Sequence, residues 1–164
     1  MLLRFKKGKG GPGTLSCLRA DGSSSYTKLH PDIELHDIIH YVVETELGFN
    51  NAFYGLVASG FDIDDFALPR DQRPKALMPA NLPLEAHQAE HLVNLIQIDM
   101  SDAQDPNDFL KMAEEIFRDK DIDFPRQLTP ESLVKIHTRL RELQFRWNSI
   151  GEGELLELEF PHDD

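Results

Sequence analysis

Cysteine is almost absent from this chain: Cys17 is the one thiol among 164 residues, so no internal disulfide can form and a disulfide-stapled scaffold is excluded. Long apolar runs are missing as well. No stretch approaches the roughly 20 apolar residues of a membrane-spanning helix, and Met1 to Gly13 contains no apolar run of signal-peptide length, which predicts a cytoplasmic, unprocessed chain without a membrane partner. Positive charge is scarce, with 17 Lys and Arg against 29 Asp and Glu for a net charge of -12. The cations gather early, where Arg4, Lys6, Lys7, Lys9, Arg19 and Lys28 face Asp21 alone. An acidic body repels phosphate backbones and the basic start lacks the breadth of a basic face, so no nucleic-acid partner is expected. The glycines of Gly8 to Gly13 are not followed by Lys-Ser or Lys-Thr at phosphate-loop spacing, and no serine or cysteine has a nucleophile context. No nucleotide or organic cofactor is therefore expected.

What is present suits one folded domain over residues 1–164. Hydrophobic residues make up 40% of the chain and its charges are interspersed, which is the composition of a chain able to bury a core. Leu2 to Lys6, Thr14 to Arg19 and Ser24 to Leu29 alternate like strands, and Asp21-Gly22 between the last two is a hairpin turn that accepts positive φ. Asp32 is placed to cap a helix ending at Gly48. A second short helix spans Ala52 to Ala58, a third runs from Asn81 to about Met100, a fourth starts at Asp105-Pro106 or Asn107 and runs to about Arg118, and a fifth spans Glu131 to about Ser149. In the fifth, Leu133, Ile136, Leu140, Leu143 and Trp147 share one face. Phe61 to Ala80, with Pro69, Pro74 and Pro79, reads as a long surface connection. Leu156, Leu158 and Phe160 alternate with Glu157 and Glu159 in a closing strand, which must find its partner in the opening meander. The expected fold is α+β: a small antiparallel sheet, an N-terminal three-stranded meander plus the C-terminal strand, packed against about five helices.

Chemistry concentrates in Leu35 to Glu44. On a helix Leu35, Ile38, Ile39, Val42, Val43 and Leu47 make an apolar stripe, while His36, Asp37, His40 and Glu44 fall on its flank and far side. His36 and His40 stand one turn apart, the spacing at which two imidazoles reach one divalent ion such as zinc. Asp37 is a candidate ligand or a group that orients an imidazole, and Glu44, two turns beyond His36, has His40 as its natural partner. His87 and His91 repeat the spacing on the third helix, on a stripe with Leu84, Leu95 and Ile98, and packing beside the first helix would bring the pairs together in one polar pocket. The same residues also suit a polar helix flank in which histidine and carboxylate only hydrogen-bond.

The five residues His36 to His40 resemble the HExxH signature of zinc proteases, with Asp37 in place of the glutamate. That resemblance implies a third ligand downstream, for which Asp62, Asp64 and Asp65 stand in the reachable window. The same HDxxH run is similar to the zinc motif of the coenzyme Q biosynthesis scaffold family, which implies a glutamate where this chain has Ala52. Two functions follow as expectations. One is a small cytoplasmic metal-binding protein with hydrolase- or lyase-like chemistry on a small molecule. The other is a non-catalytic binding or regulatory domain, its histidines structural, in which the aromatic stretch Phe49, Phe53, Tyr54, Phe61 and Phe66, with the acidic loop of Asp62, Asp64 and Asp65, meets a protein partner.

Overall fold

The computed structural model describes residues 1–29, 34–98 and 105–162. Strands β1 (Leu2–Lys6), β2 (Gly13–Leu18), β3 (Ser24–Leu29) and β4 (Leu155–Glu159) form an antiparallel sheet in the order β3-β2-β1-β4. The closing strand pairs with β1, setting Leu3 opposite Leu158 and Phe5 opposite Leu156. Alternation decides which face is covered: Leu3, Phe5, Leu15, Cys17, Leu156 and Leu158 point into the core. Arg4 and Glu157 pair on the open face at 2.7 Å.

The helices are α1 (Glu34–Leu47), α2 (Phe53–Ala58), α3 (Leu84–Ile98), α4 (Pro106–Asp119) and α5 (Pro130–Ser149), with Trp147 of α5 meeting Phe5 of β1 on the covered face. Thr129 caps α5 by accepting from the Ser132 backbone, and Asp105 caps α4 by accepting from Asn107. The buried face of α5 is Leu133, Ile136, Leu140, Leu143 and Trp147, the stripe its sequence period indicates. The expected Asp32 cap and the end of the third helix at Met100 lie outside the described residues.

Three expectations are corrected. First, the flank and far side of α1 do not face solvent. The helix packs against α3, α5 and α2, so Asp37, His40 and Glu44 are buried along with the apolar stripe. Second, α3 is rotated from the expected face: Gln88, Ala89, Leu92, Val93 and Ile96 are buried, whereas Leu84 and Ile98, near its ends, are exposed. The spacing 88-89-92-93-96 is the wider stripe of a helix laid across two neighbours. Third, the connection after α2 is folded into 3₁₀ turns at Ile63–Ala67, Lys75–Leu77 and Pro79–Asn81, with Ile63 and Leu77 buried beneath it.

Gly48 ends α1 with φ of 67°, a left-handed conformation that costs glycine nothing, and Phe49 N–H closes the turn on the Glu44 carbonyl at 2.9 Å. At Gly55 the Asn50 backbone lies where a Cβ would sit, so only glycine allows α2 to approach this closely. These two positions bring α2 back against α1, which places Phe53 beside His40.

Candidate metal centre

Glu44 begins the site. Ala52 offers α2 no capping side chain, and the Glu44 carboxylate substitutes from the neighbouring helix: its Oε2 accepts from the N–H groups of Tyr54 at 2.9 Å and Gly55 at 3.3 Å. Its other oxygen, Oε1, lies 3.2 Å from His40 Nδ1. A second tie closes the same corner, as the Tyr54 hydroxyl donates to the Asp37 carbonyl at 3.0 Å.

His36 is held in a parallel way, with Nδ1 3.0 Å from Oε1 of Gln97 on α3. An oxygen acceptor on each Nδ1 favours the proton there, so that Nε2 is the nitrogen each imidazole can turn to an ion, at His40 only once its Nε2 has given up the proton it shares with Glu90. His40 Nε2 lies 3.4 Å from Oε2 of Glu90 on α3. His36, His40 and Glu90 each offer a ligand atom, and these atoms lie within 4.8 Å of one another. Zinc bonds of about 2.0–2.1 Å put tetrahedral ligand atoms roughly 3.4 Å apart, so an ion would draw the trio inwards. Glu90, with its side chain 55% exposed, has the freedom to make that movement.

Electrostatics follow from burial and neighbours. Burial alone would lower the His40 pKa, but the hydrogen bonds and charges of Glu44 and Glu90 outweigh it and push it up to about 9. Glu90 is drawn down to about 2, chiefly by its hydrogen bond to His40. Burial raises Glu44. Burial also raises Asp37 to about 7, against a weaker opposing pull from His40. Among the described residues no hydrogen bond reaches the Asp37 carboxylate, which lines the pocket beside the two histidines. That pocket holds about 370 Å³ and is walled by Phe53, Phe66, Pro79, Leu82 and Ala86, with His87 and Glu90 at its α3 side. A larger hollow of about 570 Å³ lies beside Met1, Leu18 and Phe160. Its cation, Arg19, is already spent on the carbonyls of Val57 and Phe61, each at 2.6 Å, so the smaller pocket is where reactive groups converge.

The two histidine pairs do not merge into a four-histidine cluster. His87 lines the pocket but its Nε2 donates to the Pro79 carbonyl at 3.1 Å, and His91 packs on Phe117 with ring centroids 5.9 Å apart. Asp37 lines the pocket without joining the ligand trio, and Glu44 stands behind His40. None of the three aspartates in the expected third-ligand window joins the trio: Asp62 and Asp65 close a capping box on the 3₁₀ turn, and Asp64 is exposed. Ala52 is fully buried at the start of α2. Glu90 is the residue that sequence reasoning missed as a ligand. Its signal was its place one turn after Ala86 and three residues after His87, on the exposed side of the buried 88-89-92-93 stripe.

Comparison with known protein families, with curated proteins and with solved structures gives no match. No helix among the described residues is long and apolar enough to cross a membrane.

Proposed function

We propose that this is a cytoplasmic protein that binds one zinc-type divalent ion through His36, His40 and Glu90 and uses it in hydrolase- or lyase-like chemistry on a small molecule. The observation that carries the reading is the paired support of the imidazoles: each Nδ1 meets an oxygen acceptor, Gln97 or Glu44, while the ligand atoms of the trio converge within 4.8 Å. Two imidazoles and a carboxylate leave a coordination position for water or substrate, the pattern of catalytic rather than structural zinc. A bound ion lowers the pKa of its water towards neutrality and polarises an oxygen of the substrate. Asp37, in the pocket wall, is the group placed to accept or return a proton.

A second reading, a non-catalytic binding domain, is favoured by one observation: His40 lies between Glu44 and Glu90, so its imidazolium is satisfied by protein groups alone. Elemental analysis of protein purified without a histidine tag separates the two. About one equivalent of zinc or a related metal per chain is expected, and only trace metal would leave the binding-domain reading in its place.

A further inference from the structure

The pocket constrains what the centre can hold. Phe53 and Phe66 meet edge to face with centroids 4.9 Å apart, and Phe53 also stands 5.4 Å from the His40 ring, so an apolar wall runs to the edge of the ligand trio. Pro79, Leu82 and Ala86 supply the facing wall. Among the described residues no Lys or Arg lines this pocket, its carboxylates are Asp37 and Glu90, and with an ion on Nε2 the His40 imidazole adds no positive charge of its own. A phosphate-binding site needs donors such as Arg, Lys or a run of free backbone N–H groups to neutralise a dianion. Here the ion's charge is offset by Glu90 and faced by Asp37, so a second negative charge on the ligand meets repulsion. The volume of about 370 Å³ lies at the lower end of small-molecule pockets and suits a ring with a short head group.

We infer, resting on the metal-site reading, that the ligand is a small apolar molecule, aromatic or of similar flatness, that presents one singly charged or neutral oxygen-donor head to the ion. Phosphate esters and other multiply charged anions are rejected by the same walls.

The test titrates zinc-loaded full-length protein with benzohydroxamate and acetohydroxamate, then with benzoate and phenylphosphonate, while metal content is assayed in parallel. Relative to their ratio for free zinc, benzohydroxamate should bind about tenfold or more tighter than acetohydroxamate, since a few buried carbons in an apolar pocket discriminate on that scale. Benzoate should bind more tightly than phenylphosphonate, which carries the same ring on a dianionic head. Ala86→Phe, which fills the pocket from α3, should keep one zinc per chain and lose the preference for the ring. Zinc bound at full stoichiometry with equal hydroxamate affinities, or with phenylphosphonate preferred, would overturn this inference and leave the metal centre standing. Failure of the wild-type chain to take up zinc would overturn both.

Discussion

Glu44 and His40 form a buried pair one helical turn apart, Oε1 to Nδ1 at 3.2 Å, and the same carboxylate caps α2 through Tyr54 and Gly55. One side chain thus couples the fold of the α1–α2 corner to the state of the imidazole. If His40 binds an ion through Nε2, Glu44 holds it in the required tautomer.

Glu44→Gln should separate the two roles. The amide oxygen still accepts from Tyr54 and Gly55, but its NH₂ then faces His40 Nδ1 and favours the tautomer with the proton on Nε2. Zinc affinity, measured by competition with a chelating dye, should fall about 10- to 100-fold. Glu44→Ala removes the buried partner and cap together and should cost about 3–5 kcal/mol in chemical denaturation. Unchanged zinc affinity in the glutamine variant would show that Glu44 is only a cap.

The pH dependence of the metal-free protein has a definite sign. The His40 pKa of about 9 lies above its unfolded value, so its pairing stabilises the fold fully below about pH 6.5 and is lost as pH rises through about 9. Asp37, raised to about 7, and Glu44, also raised, act in the same direction: their burial becomes unfavourable as pH climbs above the usual carboxylate range. Glu90, drawn down to about 2, contributes above its unfolded pKa and is lost as pH falls through about 2. The melting temperature should therefore be higher near pH 5.5 than at pH 9. Zinc binding must displace the His40 proton, so affinity should increase from pH 6 to 9. A zinc affinity independent of pH over this range would contradict the assignment of His40 as a ligand.

Asp37→Asn tests the buried carboxylate. An upward shift of this size means that the ionised form is disfavoured in the fold, so the neutral amide should stabilise the protein at pH 8 by roughly 1–3 kcal/mol and flatten the stability profile between pH 4 and 7. Zinc stoichiometry should be unchanged, because Asp37 is outside the ligand trio. Destabilisation at pH 8 would mean that the carboxylate is paired as an anion.

Deletion of residues 155–164 should abolish the cooperative fold. Leu156, Leu158 and Phe160 are all buried, and each contributes about 1.5–3 kcal/mol against a total stability of roughly 5–15 kcal/mol. The loss also bares the edge of β1. A truncated chain with an unaltered melting temperature would contradict the place of β4 in the core.

Local periodicity made most of the fold legible. The alternation of Leu156, Leu158 and Phe160 needed a sheet partner, and β1 provides it. The stripe of α5 was readable because a helix facing one core shows a clean 3.6-residue period, and the start of α4 at Asp105 because aspartate is a favoured cap. Where a helix faces several neighbours that period blurs: α1 is buried nearly all round, and α3 turns 88-89-92-93-96 inwards. The pairing of His40 with Glu44 follows from one-turn spacing alone, whereas Glu90 and Gln97 reach the site only through the rotation of α3. Ligands drawn from a second helix depend on tertiary packing, and no spacing within Leu35 to Glu44 encodes that.

The most direct measurement is anomalous diffraction at the zinc edge from crystals of zinc-loaded protein. The expected result is one strong peak at about 2.0–2.2 Å from Nε2 of His36, Nε2 of His40 and a carboxylate oxygen of Glu90. A peak elsewhere, or none with His40 still lying between Glu44 and Glu90, would contradict the metal centre.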